Sequence, residues 1–140
     1  MLLSCLHTAD SNVAVFDAAL GELGRDDVRL RHAVRADLLD RGEREGGLTA
    51  AIVAETAAVL GGLAGGADAV LLTCSTLGPA VAHANRSAVP VLRVDEALAR
   101  QAVQQGGAIV VLCAVATTVP SRSKMMVVMD KARFPGKSRR

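Results

Sequence analysis

The stretch ADAVLLTCSTLGP, residues 67–79, decides the fold of this chain. Residues 67–74 are mostly apolar, which is typical of a strand that is buried on both faces of a parallel sheet. Gly78 and Pro79 follow closely and predict a short helix, because proline is well tolerated in a first helical turn. A buried strand therefore passes into a helix through a short run of hydroxyl-bearing residues.

Upstream of this stretch, strand and helix signals alternate. Residues 2–6 form a short apolar run that ends in a polar cluster, and residues 28–34 alternate strictly, as a strand near a sheet edge does. Between them, Ser11 or Asn12 is expected to cap a helix that Gly24 ends. The predicted apolar face of this helix comprises Val13, Phe16, Leu20 and Leu23.

A second, longer helix is predicted between the edge strand and the deciding stretch. Residues 35–47 are polar and are expected to form a connection, and the glycine-rich residues 61–66 are expected to end the helix. Its predicted apolar face comprises Leu48, Ile52, Thr56, Val59, Leu60 and Leu63.

Downstream, the alternation continues. Residues 89–94 and 108–115 are predicted strands, Asp95 is expected to cap the helix between them, and another helix is expected to start at Pro120. Strands separated by helices in this way predict βαβ units. The predicted fold class is therefore α/β, with a parallel sheet that carries helices on both faces.

Composition and charge restrict the function. The chain has 140 residues, 51% of them hydrophobic, with two Phe and no Trp or Tyr, so it offers no aromatic platform for single-stranded nucleic acid. Five of the 16 Lys and Arg residues lie in residues 131–140, whereas all 14 acidic residues lie before them. The body is thus mildly acidic and the end is a basic tail, expected to be disordered. We expect no nucleic-acid partner.

The three cysteines indicate the cellular compartment. Cys5, Cys74 and Cys113 are odd in number and lie in apolar runs, which favours reduced thiols in a cytoplasmic protein over disulfides. The first residues lack the basic region and the long apolar run of a signal peptide. No run approaches the length of a membrane span, so we expect no membrane partner.

Three polar loops follow the predicted strands, at residues 7–12, 73–76 and 116–118. Ligands of open parallel sheets bind at the carboxyl ends of the strands, and helix amino termini there favour anions. The loops therefore suit a small molecule that bears a carboxylate. No glycine-rich phosphate loop follows the first strand. His7, His32 and His83 show no paired ligand spacing with the cysteines, so no metal is expected.

The same loops resemble a known family. The strings AVLLTCSTLGP (69–79), LLSCLHTADSN (2–12) and VVLCAVATTVPSR (110–122) are similar, in order and spacing, to motifs of the Asp/Glu/hydantoin racemase superfamily. The resemblance covers about residues 1–126. It implies a two-lobed fold with a cleft, in which cysteines move a proton at the α-carbon of a small amino acid or carboxylic acid. It also implies that neither pyridoxal phosphate nor a metal takes part.

The resemblance also implies roles for individual residues. Cys74 is the expected catalytic acid or base of this lobe, and its hydroxyl neighbours and the predicted helix start favour the thiolate. The expected substrate-binding residues would hold the carboxylate and the enolate-like charge. They are Thr8, Ser11, Asn12, Ser75, Thr76, Thr117 and Thr118.

The resemblance stops within the second lobe. We expect a racemase-like lobe at 1–106, the beginning of a truncated second lobe at 107–129, and the basic tail at 130–140. The second cysteine of the family has no counterpart, so two-sided racemisation by this chain is expected to be lost. The apolar surface that a full second lobe would cover favours a homodimer.

Alternatives stay open at this point. Cys5 and Cys113 are expected to be core residues, whereas His7 fits a cleft acid and a strand-end residue equally well. The chain could instead be a non-enzymatic α/β module that binds a small anion or a protein partner, or a one-thiol isomerase or decarboxylase of the same superfamily. Nothing in the three loops selects a substrate side chain.

Overall fold

The computed structural model describes residues 1–84, 87–107 and 109. Strands and helices alternate along this part of the chain, and one short helix is of the 3₁₀ type. The elements are β1 (Leu2–His7), α1 (Ser11–Glu22), β2 (Arg29–Val34), α2 (Ala36–Arg44), α3 (Ala50–Leu63), β3 (Ala69–Leu72), the 3₁₀ helix (Gly78–His83), β4 (Val91–Arg93) and α4 (Val94–Gln105).

The described strands form one four-stranded sheet in the order β2-β1-β3-β4, and every pairing is parallel. In register, Leu6 lies opposite Leu72, and Cys5 lies opposite His32. The predicted α/β class is confirmed. The strictly alternating strand is β2, and it lies at an edge of the described sheet as predicted.

One side of the sheet carries the apolar core. Successive residues of a strand point to opposite faces, and Leu6 of β1 belongs to the buried cluster that α3 contributes to through Ile52 and Leu60. The cluster also takes in residues of α2, β3 and the loop after β3. Its fully or nearly fully buried members are Leu6, Leu38, Ile52, Leu60, Val70, Leu72, Leu77 and Ala84.

The other side of the sheet is covered by α1. The Phe16 ring lies 5.4 Å from the His7 ring, centroid to centroid, and Asp17 contacts His32 at the surface. No residue of α1 is fully buried. Helices therefore lie on both faces of the sheet, as predicted, but the large apolar cluster lies on the α3 side.

The structure corrects the predicted connection at 35–47. Residues Ala36–Arg44 form α2, an amphipathic helix that buries Leu38 and Gly42. Because its outer face is charged and only two residues are buried, the segment resembles a polar loop in sequence. Glu55 of α3 pairs with Arg41 and thereby links the two helices.

The predicted helix caps are also corrected. Asp10 precedes α1 without a side-chain hydrogen bond to the helix, so Ser11 and Asn12 lie inside the first turn. Likewise, α4 begins at Val94, and Asp95 lies in its first turn, where a carboxylate still interacts favourably with the helix dipole. Gly24 does end the first helical segment and adopts a positive φ of 60°.

The predicted strand 108–115, the predicted helix at Pro120, and the residues Cys113, Thr117 and Thr118 lie outside the described residues. So do the second-lobe segment and the basic tail, apart from Gly107 and Ile109. In the described part of the chain, none of the helices has both the length and the apolar character that a membrane crossing needs.

Candidate functional site

The site forms where β1 and β3 end. These neighbouring parallel strands finish at His7 and Leu72, so the residues that follow leave the sheet at the same edge. The backbone N–H of Thr73 donates to the carbonyl of Leu6 at 3.1 Å, which holds the start of the second loop beside the end of β1. The structure thus places Thr8 and Cys74 at one edge, as the sequence predicts.

The Cys74 thiol is half-buried and packs against the apolar cluster, with hydroxyl residues before and after it in the chain. The short helix predicted after it is the 3₁₀ helix, which starts only at Gly78 and has six residues. It is short and begins well beyond the thiol, so the expected support from a helix amino terminus is not provided by this helix.

The expected substrate-binding residues differ in exposure. Thr8 and Thr76 are buried, and Ser75 is half-buried. Ser75 and Thr76 both take part in further interactions with the rest of the chain. Ser11 is exposed and Asn12 is half-buried in the first turn of α1. The described members of the set therefore come from the two loops that follow β1 and β3 and from the first turn of α1.

Sequence reasoning missed an arginine at this edge. Arg93 is the last residue of β4 and lies opposite Leu72 in register. Its guanidinium packs directly over Gly78, where a Cβ would lie 2.4 Å from the Arg93 Cζ, so a larger residue at this position would require the Arg93 side chain to move. Arg93 donates through Nε to Asp95 at 3.0 Å, and this hydrogen bond raises the pKa of the arginine.

A second group of charges lies beyond the end of β2. The backbone N–H of Arg35 donates to the carbonyl of His7 at 2.9 Å, and its side chain pairs with Asp37 and Glu55. Glu55 accepts from both Arg35 and Arg41 at 2.5 Å. Hydrogen bonds from Arg41 and Arg35 lower the pKa of Glu55, and the Arg35 hydrogen bond lowers that of Asp37.

A chain of hydrogen bonds runs from the site, along the α1 side of the sheet, to the surface beside α1. His7 Nδ1 lies 2.8 Å from Thr73 Oγ1, and His7 Nε2 lies 2.8 Å from His32 Nδ1. His32 Nε2 lies 3.0 Å from Asp17 Oδ1. Burial, and then the neighbouring His32, lower the pKa of His7. A half-buried threonine beside Cys74 is thereby connected to an exposed carboxylate.

Cys5 lies beside these two histidines. Its sulfur and one nitrogen from each of His7 and His32 all lie within 4.8 Å of one another. Burial, and then the charge of Asp17, raise the pKa of the Cys5 thiol to about 11. The spacing of Cys and His along the sequence does not reveal this group, because His32 joins it only through the pairing of β1 with β2.

A groove of about 1090 Å³ lies elsewhere, along α3, residues 83–84 and residues 87–88. Alanine and glycine predominate among its lining residues, and His83 is its one titratable side chain among the described residues. Among the described residues, its lining includes none from the sheet edge.

Comparisons of the chain with family models, with curated proteins and with solved structures found no match.

Proposed function

We propose that the chain is a member of the Asp/Glu/hydantoin racemase superfamily, in which Cys74 exchanges the α-proton of a small amino acid or related carboxylic acid without a cofactor. The observation that carries the proposal is the shared sheet edge. A partly accessible thiol in a hydroxyl-rich loop follows β3, and the Thr8 loop follows the neighbouring parallel strand β1.

The proposed step needs only groups of this chain. The Cys74 thiolate takes the α-proton: the carbon–hydrogen bond breaks, a sulfur–hydrogen bond forms, and the electron pair moves into the substrate carboxylate. Polar groups of the loop stabilise the enolate-like charge. The thiol proton then exchanges with solvent, and return of a solvent hydron from the same sulfur restores the carbon with its configuration unchanged.

The proposed substrate class follows from charge and size. Arg93 lies at the same edge as the hydroxyl loop, where a guanidinium can attract a carboxylate, although it is already paired with Asp95. Hydroxyl groups suit the polar end of a small acid. Racemisation additionally requires a proton donor on the far side of the α-carbon, and no described residue is assigned to that role.

Proton exchange in deuterium oxide tests the proposal. The full chain is incubated with single amino acids and simple carboxylic acids, and the Cα–H signal is followed by proton NMR. We expect the signal of at least one substrate to decay. Cys74→Ser should abolish the decay, because the serine hydroxyl stays protonated near neutral pH and is a far weaker base than a thiolate. His83→Gln, at a titratable residue remote from the sheet edge, is the matched control and should exchange normally.

Other results would favour the alternatives. If no compound exchanges, but small carboxylates raise the melting temperature of the chain, the chain is a binding module and the exchange proposal is wrong. If the Cα–H signal falls because the carboxylate is lost as carbon dioxide, the one-thiol decarboxylase is the better interpretation.

A further inference from the structure

We propose that Cys5, His7 and His32 form a binding site for a divalent transition-metal ion such as Zn²⁺, on the side of the sheet that α1 covers. The site touches the Cys74 loop through Thr73, which lies 2.8 Å from His7, but the inference does not rest on the proposed exchange activity. It rests on a sulfur and two imidazoles that lie within 4.8 Å of one another.

The strand geometry explains why these three residues meet. Cys5 and His7 are two positions apart in β1 and therefore point to the same face. His32 of β2 lies opposite Cys5 in the parallel register, so it projects from that face as well. A rigid two-strand frame thus presents three donor atoms, which is the number that catalytic zinc sites take from the protein.

The outer nitrogens of both histidines already have partners. Asp17 Oδ1, 3.0 Å from His32 Nε2, accepts a hydrogen bond, which leaves His32 Nδ1 with a lone pair. Histidines that ligate metals commonly donate in this way to a carboxylate. The carboxylate that accepts from the outer nitrogen of His32 is therefore present before any metal binds.

Thr73 can play the same part for His7. Its hydroxyl lies 2.8 Å from His7 Nδ1 and 3.1 Å from the carbonyl of Leu6. When the Thr73 hydroxyl donates to that carbonyl, the hydroxyl oxygen accepts from His7 Nδ1–H. His7 Nε2 then also carries a lone pair. In this tautomer the two lone pairs face each other at 2.8 Å, and a cation between them would satisfy both; in the other tautomer His7 Nε2–H donates to His32 Nδ1.

Donor type and charge favour a zinc-like ion over calcium or magnesium. Thiolate and imidazole are ligands that zinc and cobalt prefer, whereas calcium and magnesium take oxygen ligands. Binding would displace the thiol proton of Cys5 to solvent and form one metal–sulfur and two metal–nitrogen bonds. The thiolate and Asp17 together balance a charge of +2.

Two nitrogens bound to tetrahedral zinc at about 2.0 Å lie about 3.3 Å apart, so the imidazole nitrogens must separate by roughly half an ångström. The Cys5 sulfur, which lies within 4.8 Å of both nitrogens, must also come to zinc-bonding distance. The side chain of His32 is 15% exposed and that of Asp17 is 59% exposed, which leaves a route from solvent. A bound ion would also fix α1, whose own residues bury little, against the sheet.

Cobalt(II) titration of the reduced, chelator-treated full chain tests the proposal. We expect one equivalent to produce visible absorption bands of a tetrahedral ion, together with a near-ultraviolet thiolate-to-cobalt band, and zinc to remove both. Cys5→Ser should lose the near-ultraviolet band. Asp17→Asn, at an exposed residue that does not threaten folding, should weaken zinc affinity about 10- to 100-fold.

Controls make the outcome unambiguous. Cys74→Ser and His83→Gln should leave the cobalt spectrum and the zinc affinity unchanged. A near-ultraviolet band that persists in Cys5→Ser, or a spectrum that Cys74→Ser abolishes, would overturn the proposal, as would absence of stoichiometric binding. In that case the histidines form only a proton-sharing chain. Failure of the exchange assay has no bearing on this result.

Discussion

The two sides of the sheet differ in what they bury. On the α3 side, Leu6, Ile52 and Leu60 have no exposed surface and form one apolar cluster. On the α1 side, the residues below the helix include Cys5 and His7, which are equally buried but polar or reactive, and α1 contributes no fully buried residue. Stability therefore comes mainly from one side, and buried polar chemistry from the other.

The largest expected effect comes from the α3 side. Leu60→Ala removes a fully buried side chain and should lower the free energy of unfolding by about 2–5 kcal/mol. Leu23→Ala, at the end of α1 where the side chain is 72% exposed, should change it by less than about 0.5 kcal/mol. Urea unfolding followed by circular dichroism measures both. Equal losses would show that the two sides contribute alike.

Thiol alkylation compares the two sides directly. Cys5 has no exposed surface and a pKa of about 11 instead of 9.0, which alone reduces its thiolate population about a hundredfold. Cys74 is partly accessible. In the folded, metal-free chain, iodoacetamide should therefore label Cys74 much faster, as peptide mass spectrometry can resolve. Faster labelling of Cys5 would mean that α1 does not protect its side of the sheet.

A smaller effect is expected from the ion pairs that link α2 to α3. The folded-state pKa of Glu55 is lowered, chiefly by its hydrogen bond to Arg41, so its stabilisation is present above the ordinary pKa of 4.5 and is lost as the pH falls through the lower folded value. Glu55→Gln should slightly lower the melting temperature at neutral pH, with the difference disappearing in acid. Glu43→Gln, at an exposed residue of α2, is the control. A deficit that is independent of pH would contradict this explanation.

Much of the fold could be predicted from periodicity and length. The apolar run before Cys74 identifies β3, and the alternation at 28–34 identifies the edge strand β2. A strand that is buried on both faces is continuously apolar, whereas a strand that is buried on one face alternates. Helix α2 was not predictable in this way. It buries only Leu38 and Gly42. Its Asp37 pairs with Arg35, which precedes the helix, and its Arg41 pairs with Glu55 of α3; a sequence period does not reveal such pairs.

Only those features of the candidate site that depend on where each strand ends could be predicted from the sequence. The placement of Thr8 and Cys74 follows from the rule that parallel strands end at the same edge. The Cys5–His7 pair shows the two-residue spacing of a strand, a signal that could have been used. The contacts of His32 and Arg93 were beyond reach, because they depend on strand register and on the close approach that Gly78 permits.

The stereochemical course of α-proton exchange tests most directly whether Cys74 acts alone at this edge. Each enantiomer of an exchanging substrate is incubated with the chain in deuterium oxide, and both deuterium content and chirality are measured. We expect one enantiomer to gain deuterium with retention, and Cys74→Ser to stop this. Exchange that survives in Cys74→Ser would contradict the assignment of Cys74, and full racemisation would show that a second acid completes the cleft.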